Sequence, residues 1–301
     1  MRGAALLPVL LVLAGCRESA GPPARPGFDG DRSYALLLEL CQMGPRNHGS
    51  PEKEHAEEWI QDRLKACGAE VSVHAFRHTP ATATGPSSFR NIVGRWKPAE
   101  KRRILLGTHY DTRSWADRDP NPAKHVYPIN GANDGGSGVA VLLALAEVFA
   151  KDPPAAGIDM IFFDGEDFGR PGVWDDYFLG SKAWVADHPD YTVEWGVILD
   201  MVGDANLEIT REGHSMEKAP GTVDRVWAAA KRAGSDAFVE KRGATIMDDH
   251  SAFLRRGIPV ILVIDFDYPW FHTGDDDPTK CSAVSLGQVG RAVLEAVRGE
   301  K

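Results

Sequence analysis

Continuous runs of large apolar residues recur along the chain, separated by segments in which apolar residues have a helical spacing. The run at residues 158–163 (I-D-M-I-F-F) contains one polar residue and is followed at once by the acidic turn D-G-E-D. Further runs lie at residues 104–107, 195–199 and 258–264. Such runs are typical of strands buried in a parallel sheet.

Helices are predicted before, between and after these strands, at residues 34–41, 51–67, 139–149, 181–186, 222–233 and 284–297, with a short helical turn at 248–250. Ser50 and Pro51 supply an N-cap and a first helical residue for the second helix, and Gly68 supplies its stop. Half-buried strands are predicted at residues 71–75 and 89–96, with a further edge strand at 206–210. This alternation of strands and helices predicts an α/β fold.

The composition is that of a globular protein with a substantial core. Hydrophobic residues make up 43% of the 301 residues and charged residues 26%, which argues against global disorder. No segment resembles a linker between two cores, so a single domain is expected. The net charge is −9 and no stripe of lysine and arginine is present, which argues against a nucleic acid partner.

The first sixteen residues have the pattern of a secretory signal. Arg2 supplies a positive charge, residues 4–13 are apolar but too few to span a bilayer, and two small residues precede Cys16. The ending L-A-G-C resembles a bacterial lipobox, in which Cys16 becomes the lipidated first residue; the alternative is an ordinary signal with an incidental cysteine. We expect a signal peptide at residues 1–16, a flexible tether at 17–30 and a folded domain at 31–301. The protein would then be exported across the inner membrane and anchored by its lipid to a bacterial membrane, facing the periplasm or the exterior.

Three cysteines remain in the folded domain: Cys41, Cys67 and Cys281. Because three is an odd number, at most one disulfide can form. The chain has no C-x-x-C pair, which argues against a cysteine-based zinc site or a thioredoxin-like redox motif. We expect these cysteines to be buried and inert.

Side chains with metal-binding chemistry follow the ends of the predicted strands. His109 and Asp111 follow the run at 104–107, Glu166 and Asp167 follow the run at 158–163, and Asp200 follows the run at 195–199. The carboxyl ends of parallel strands meet at one edge, where open α/β sheets place their ligand sites. We therefore expect these side chains to lie together.

Three further candidates lie in predicted turns: Asp134, Asp248 and His272. Asp134 belongs to the glycine-rich turn N-G-A-N-D-G-G-S-G, which could cradle a phosphate at the start of the next helix. The turn has neither the G-x-G-x-x-G nor the G-x-x-x-x-G-K pattern, and the charge of Asp134 would repel an anion. A carboxylate in such a tight turn is better suited to a cation.

These residue types suit a catalytic zinc, which binds nitrogen and carboxylate ligands and keeps one position open. Glu166, beside the metal without binding it, would act as a general base or proton shuttle. Oxygen-rich ligation would also suit magnesium or calcium, but the two histidines favour zinc. The candidate sites are a first with Asp134, Asp167 and His272, and a second, as in two-metal hydrolases, in which Asp134 bridges to His109 and Asp200.

Five motifs, in order, resemble the M28 family of zinc aminopeptidases and glutaminyl cyclases: T-H-Y-D-T, G-A-N-D-G-G-S-G, F-F-D-G-E-D, L-D-M-V-G-D and W-F-H-T. The resemblance covers roughly residues 33–300. It implies a single domain with a doubly wound, mostly parallel central sheet, helices on both faces and a zinc site at the carboxyl edge. It also implies one zinc ion on Asp134, Asp167 and His272, with a possible second on His109 and Asp200.

Two activities occur in the family that the motifs resemble. Aminopeptidases use two zinc ions to activate water, whereas glutaminyl cyclases generally bind one and convert N-terminal glutamine into pyroglutamate with release of ammonia. Residues 245–259 are similar to the cyclase version, with Asp248 where aminopeptidases typically have a small hydroxyl residue. An aspartate ligand at 167 and a tryptophan at 174, where the cyclases place one that contacts the substrate, are similar to bacterial cyclases of the animal type.

On the cyclase interpretation, Glu166 takes a proton from the α-amine and returns it to the departing ammonia. Glu166, Asp200 and Asp248 are then expected to share protons. An apolar mouth of Trp174, Trp270 and Phe271 is expected around the substrate. The family usually has tryptophan directly before the histidine ligand; here that residue is Phe271, and Trp270 lies one position earlier.

The expected function is therefore that of a zinc-dependent glutaminyl-peptide cyclotransferase acting on the N-termini of peptides or proteins. The alternative is a zinc aminopeptidase, since His109 is retained and permits a second zinc. A third interpretation is a lipid-anchored peptide-binding domain without catalysis. The presence of Glu166 and of every ligand position argues against this last interpretation.

Overall fold

The computed structural model describes residues 25–299, together with Met1. The rest of the predicted signal peptide, with Cys16, and the tether up to residue 24 lie outside the described residues. The described end of the predicted tether is docked on the domain. Phe28 is 7% exposed and lies so close to Gly290 that a Cβ atom there would come within 2.2 Å of its ring.

The described part of the chain alternates between helices and strands. The strands are β1 (Glu70–His78), β2 (Ser87–Trp96), β3 (Arg103–His109), β4 (Gly157–Phe163), β5 (Trp195–Asp200), β6 (Ile209–Arg211), β7 (Phe238–Arg242) and β8 (Val260–Ile264). The helices are α1 (Gly30–Gln42), α2 (Pro51–Ala66), α3 (Gly138–Lys151), α4 (Leu179–Asp187), α5 (Gly213–Lys218), α6 (Pro220–Arg232), α7 (His250–Arg255) and α8 (Ala283–Arg298). Strand β7 and the short helix α5 have no counterpart among the elements predicted from the sequence.

Six strands form one sheet in the order β1-β2-β4-β3-β5-β8. Strands β4, β3, β5 and β8 are parallel to one another, whereas β1 and β2 extend the β4 edge with antiparallel pairing. Strand β6, the predicted edge strand, pairs with β7 in a separate small sheet. The predicted fold, a doubly wound and mostly parallel sheet, is confirmed.

Helices cover both faces of the sheet. Successive strand residues point to opposite faces, so Leu106 and Leu199 join the core formed with α1, α2, α3, α6 and α8. Leu105 and Ile198 join a second core with α4 and α7 on the other face. Because both faces are covered, a ligand reaches the sheet at the ends of its strands.

Helix α3 begins directly against the carboxyl ends of β3 and β5 because residue 138 is glycine. A Cβ atom on Gly138 would lie 2.1 Å from Oγ1 of Thr108 and 2.7 Å from the backbone oxygen of Leu199. This close approach places the preceding turn, Ala132–Ser137, over the ends of the two strands. The glycine-rich motif therefore serves to bring Asp134 to the edge of the sheet.

Cys41, Cys67 and Cys281 are free and buried, as predicted. Burial raises the pKa of the Cys41 thiol to about 12, which keeps it in its unreactive protonated form. Within residues 25–299, no helix is long and apolar enough to cross a membrane.

Candidate metal centre and active-site cavity

The structure brings the five predicted metal ligands together at the carboxyl edge of the sheet. His109 and Asp200 are the last residues of β3 and β5. Asp167 lies just beyond β4, and Asp134 lies in the turn before α3. His272 lies in the loop after β8, in the left-handed conformation with a φ of 57°. A shared position at strand ends thus translates into spatial proximity.

Asp134, Asp167 and His272 form the first cluster. Their candidate ligand atoms all lie within 4.8 Å of one another. Nε2 of His272 lies 3.6 Å from Oδ2 of Asp134 and 3.3 Å from Oδ1 of Asp167. All three side chains are buried.

His109, Asp134 and Asp200 form the second cluster, again with ligand atoms within 4.8 Å of one another. Nε2 of His109 lies 3.1 Å from Oδ1 of Asp200 and 3.3 Å from Oδ1 of Asp134. Asp134 therefore directs Oδ1 toward the second cluster and Oδ2 toward the first. This is the geometry expected of a bridging carboxylate.

The residues of the first cluster fit a metal ion. The buried Oδ2 atoms of Asp134 and Asp167 have no hydrogen-bond partner among the described residues. Burial, together with the charge of Asp167, raises the pKa of Asp134. Burial alone would lower the pKa of His272, but the carboxylates of Asp167 and Asp117 outweigh this effect and raise it to about 9. A cation would relieve this crowding of negative charge, and the imidazole and carboxylate donors suit zinc.

Two buried aspartates hold the ligand-bearing turns through the backbone. Asp111 accepts hydrogen bonds from the backbone N–H groups of Glu166 and Asp167, each at 3.2 Å. Asp276 accepts from the backbone N–H of Asn133 at 2.9 Å and of Asp134 at 3.2 Å. Ligand positions fixed by such supporting bonds are pre-organised for metal binding.

Arg113 links two candidate ligands, Asp167 and His272, with Asp117 as the intermediate residue. Its Nη1 donates to Oδ1 of Asp167 at 2.8 Å, while Nε and Nη2 each donate to Asp117 at 2.7 Å. Oδ1 of Asp117 lies in turn 3.3 Å from Nδ1 of His272. Although burial favours its neutral form, the Arg113 guanidinium and His272 hold the pKa of Asp117 well below its usual value. The result is a continuous chain Asp167–Arg113–Asp117–His272.

Glu166 and Asp248 are two carboxyls on the cavity wall outside the metal-ligand set. Burial raises the pKa of Glu166 well above its usual value, although His109 opposes the shift. Burial and the charge of Asp200 likewise raise the pKa of Asp248. Oε2 of Glu166 lies 3.9 Å from Nδ1 of His109. These buried carboxyls are therefore placed to hold or exchange protons inside the cavity.

A cavity of about 480 Å³ opens above the metal-ligand residues. Its floor is acidic, and its upper walls are apolar or aromatic. Trp174, with 65% of its surface exposed, lines the cavity together with Phe271. The apolar and aromatic wall consists of Trp174, Tyr177, Phe178, Met201, Ile246, Met247, Ile264, Phe266 and Phe271.

The structure corrects one predicted wall residue. Trp270 is not among the residues that line the cavity. It lies instead 5.6 Å from the ring of Tyr268, with the ammonium of Lys280 over its own ring. The turn at this point sends Phe271, and not its neighbour, toward the cavity, so Trp270 is no longer assigned to substrate binding.

Several residues at the site have no counterpart among the predicted ones. Arg113 and Asp117 lie next to the predicted metal ligands, and Met247 and Phe266 line the cavity. Arg113 lies two residues beyond the His-x-Asp motif, but no sequence signal identifies it, because a charged residue in a polar loop is usually exposed. Met247 and Phe266 carry no signal either, because isolated apolar residues in loops are common.

An α/β scaffold that holds a buried cation site beneath an open cavity defines a metalloenzyme. The model of a known family, described as Peptidase family M28, matches residues 91–297. The chain belongs to peptidase family M28. The family and the enzyme class predicted from the motifs are thereby confirmed.

Two solved structures and one curated protein illustrate what the chain is similar to. Glutaminyl cyclase from Bacteroides thetaiotaomicron, bound to N-acetylhistamine, superposes with a TM-score of 0.88 at 37% identity, over 92% of this chain and 100% of that chain. A Zn-dependent exopeptidase from Parabacteroides distasonis superposes with a TM-score of 0.89 at 34% identity, with the same two coverages. Glutaminyl-peptide cyclotransferase from Bos taurus is 25% identical, over 94% of this chain and 84% of that protein.

Proposed function

We propose that the protein is a zinc-dependent glutaminyl-peptide cyclotransferase. Its substrates are peptides or proteins with an N-terminal glutamine, which it converts to pyroglutamate with release of ammonia. The similarity to glutaminyl cyclases in both sequence and structure supports this activity.

The presence of two buried carboxyls, Glu166 and Asp248, on the wall of one cavity is the observation that carries the proposal. Both carboxyls are buried and line the cavity, and burial raises the pKa of both. Cyclisation moves a proton from one nitrogen to another without consuming water. A set of buried acids able to take, hold and return that proton suits this reaction.

The residues of the chain account for the proton transfers. The α-nitrogen of the substrate attacks the γ-carbonyl carbon, a carbon–nitrogen bond forms, and Glu166 accepts the proton released by that nitrogen. Glu166 then returns the proton to the amide nitrogen, the bond to that nitrogen breaks, and ammonia leaves. Asp248, whose raised pKa favours its protonated form, donates a hydrogen bond in the cavity and exchanges protons with Glu166 and Asp200.

Asp134, Asp167 and His272 would hold one zinc ion at the cavity floor. When bound, it would supply a Lewis acid that polarises the γ-carbonyl and stabilises the developing negative charge. Trp174 and Phe271 enclose the substrate side chain between aromatic surfaces and exclude water from it.

A zinc aminopeptidase is the second candidate function. The observation that favours it is the second cluster, in which Asp134 bridges toward His109 and Asp200. Occupied by a second zinc ion, this cluster would suit activation of a water molecule for hydrolysis. The similar Zn-dependent exopeptidase agrees with this candidate.

The cellular location is part of the proposal. The lipobox-like ending at Cys16 supports a lipid-anchored protein on a bacterial membrane, facing the periplasm or the exterior. The enzyme would then meet peptides outside the cytoplasm.

One assay separates the two activities. The protein from Arg17 onward is given a glutaminyl peptide and a leucyl peptide, and the metal content of the same sample is measured. We expect ammonia and pyroglutamate from the first peptide, no free leucine from the second, and about one zinc ion per chain. Free leucine with about two zinc ions would establish the aminopeptidase instead.

The variant Glu166→Gln tests the assignment of the base. It keeps the size of the side chain but cannot accept the proton, so we expect kcat/KM to fall at least about a hundredfold. Glu58→Gln, which changes an exposed glutamate on α2, is the matched control. Full activity of Glu166→Gln would exclude this residue as the base. If neither the variant nor the wild type turned over substrate, a peptide-binding domain would be favoured.

A further inference from the structure

The cavity continues into two shallow depressions on the protein surface. The first, of about 380 Å³, shares the walls Trp174, Phe178 and Met247 with the cavity. The second, of about 390 Å³, shares Met247 and Arg255 with the first. Together they form one groove that leads from the mouth of the cavity, and we call it the outer groove.

The outer groove is basic, although the protein as a whole carries a net charge of −9. Lys182 and Arg255 line the first depression, and Lys218 lines the second beside His214. Among the described residues, no ion pair involves Lys182 or Arg255. Nζ of Lys182 donates to two backbone carbonyls, of Trp174 and Asp175, which leaves its charge uncompensated by those bonds.

Anionic side chains in the groove are fewer than the cationic ones. Asp175 is the carboxylate in the lining of the first depression, and it is exposed. Glu217 pairs with Lys218 at 3.0 Å, but both side chains are more than half exposed, so the pair neutralises little. The floor of the main cavity is acidic, so the outer groove differs from it in the sign of its side-chain charges.

The apolar walls that the cavity shares with the outer groove, Trp174, Phe178 and Met247, give a peptide whose N-terminal residue occupies the cavity a route into that groove. An extended chain advances by about 3.3 Å per residue, so the residues just beyond the first reach the outer groove. Their side chains then lie near Lys182 and Arg255. The apolar walls contact the backbone of the chain, and the cations act on its charged groups.

We propose that the outer groove binds acidic side chains that follow the N-terminal residue of a peptide substrate. Arg255 is the principal recognition residue, because it borders both depressions and its guanidinium is exposed at the last position of α7. This inference rests on the proposed function, because it takes the cavity as the site of the N-terminal residue. It names a substrate class: peptides with glutamate or aspartate in about the third and fourth positions.

Two peptides with opposite charges in the third and fourth positions test the proposal: Gln-Ala-Glu-Glu-Ala and Gln-Ala-Lys-Lys-Ala, both amidated at the carboxyl end. We expect kcat/KM to be on the order of tenfold higher for the acidic peptide at low ionic strength, mainly through KM. At about 0.5 M salt the ratio should approach one, because screening shortens the range of exposed charges. A ratio near one at low salt would overturn the proposal.

Charge reversal identifies the responsible residue. Arg255→Glu should bring the ratio of the two kcat/KM values to one or below, whereas Arg255→Lys should retain most of the preference. Lys101→Glu is the matched control, because it makes the same change of net charge at an exposed residue before β3, at the opposite end of that strand from the cavity. An equal loss of preference in Lys101→Glu would assign the effect to net charge and overturn the role of the groove.

Failure of this inference is distinguishable from failure of the proposed function. Equal formation of pyroglutamate from both peptides would support the cyclase activity and reject the role of the outer groove. If no pyroglutamate forms and leucyl peptides are hydrolysed instead, the same two sequences with leucine as first residue measure the charge preference. A preference for the acidic leucyl peptide would then support the role of the outer groove in an aminopeptidase. Equal rates for the two leucyl peptides would reject that role.

Discussion

Arg113 connects two candidate ligands of the first cluster, Asp167 directly and His272 through Asp117. Its guanidinium is 1% exposed and forms charge-assisted bonds with Asp167 and Asp117 at once. Nη2 also donates a hydrogen bond to the hydroxyl oxygen of Tyr177, at 3.1 Å. The planar fork of arginine is needed to serve two carboxylates that lie on different sides of it. Arg113 is thus a positioning residue for Asp167 and, through Asp117, for His272.

Replacement of Arg113 should weaken metal binding. Arg113→Met keeps much of the side-chain volume but leaves Asp117 and Asp167 without their shared cation. Asp167 and, through Asp117, His272 then lose their orientation. We expect the affinity for zinc to fall by about ten- to a hundredfold, measured by competition with a chromogenic chelator. Arg118→Met is the control. The guanidinium of Arg118 lies over the ring of Phe271, and within the described part of the chain it forms no ion pair with a carboxylate. Equal zinc affinities for Arg113→Met and the wild type would rule out the positioning role.

The sequence indicates the ligands of this site better than the residues that support them. His109, Asp167 and Asp200 could be predicted because each follows a buried strand, and strand ends share one edge of the sheet. Arg113 could not, because a charged residue in a polar loop is usually exposed. Its burial depends on Asp117 and Asp167, which approach it from different parts of the chain. Trp270 fails for a related reason, since the direction of a side chain in a turn depends on backbone angles that composition does not determine.

Helix α5 shows how a short element can fix a wall of the cavity. Glu212 is its N-cap, and its carboxylate accepts hydrogen bonds from the backbone N–H groups of His214 and Ser215 at 2.8 and 2.7 Å. The same carboxylate accepts from the backbone N–H of Ile246 at 2.9 Å and lies 3.3 Å from Nε2 of His250. Glu212 therefore ties α5 to the segment that carries the cavity residues 246–248.

The stability of the protein in acid should depend on Glu212. Burial alone would favour its protonated form, but His250 and the N–H of Ile246 lower its pKa to about 2, from 4.5. Because the pKa is lower in the folded state, its contribution is complete above pH 4.5 and is lost as the pH falls toward 2. The shift corresponds to about 3 kcal/mol at neutral pH.

Urea unfolding at a series of pH values measures this contribution. Glu212→Gln should be less stable than the wild type at pH 7, and the difference should shrink as the pH falls between the two pKa values. Glu240→Gln, at an exposed position on β7, should follow the wild type at every pH. A difference between Glu212→Gln and the wild type that stays constant down to pH 2 would contradict the assigned pKa.

The overall architecture could be predicted from the sequence because its core strands are continuous apolar runs. Strands β3, β4, β5 and β8 are buried along almost their whole length, and such runs allow few alternatives in an α/β protein. Strand β7 has an exposed, charged sequence, F-V-E-K-R, and its pairing with β6 is decided by tertiary contacts. The antiparallel direction of β2 next to β4 is likewise a property of the whole sheet, which no local pattern encodes.

At the scale of the whole molecule, we expect a lipid on Cys16 to attach the protein to a membrane. If Cys16 becomes a lipidated first residue, its acyl chains hold the protein on a membrane, since two or more chains give stable anchoring. We expect the full chain, produced in a bacterium that processes lipoproteins, to incorporate labelled palmitate and to sediment with membranes. Cys16→Ser should lose the label and appear in the soluble fraction, with the activity of its folded domain unchanged. Cys67→Ser, at a buried cysteine of the domain, should keep both label and membrane association. A wild type that is soluble and unlabelled would show that the segment is an ordinary signal whose cysteine is incidental.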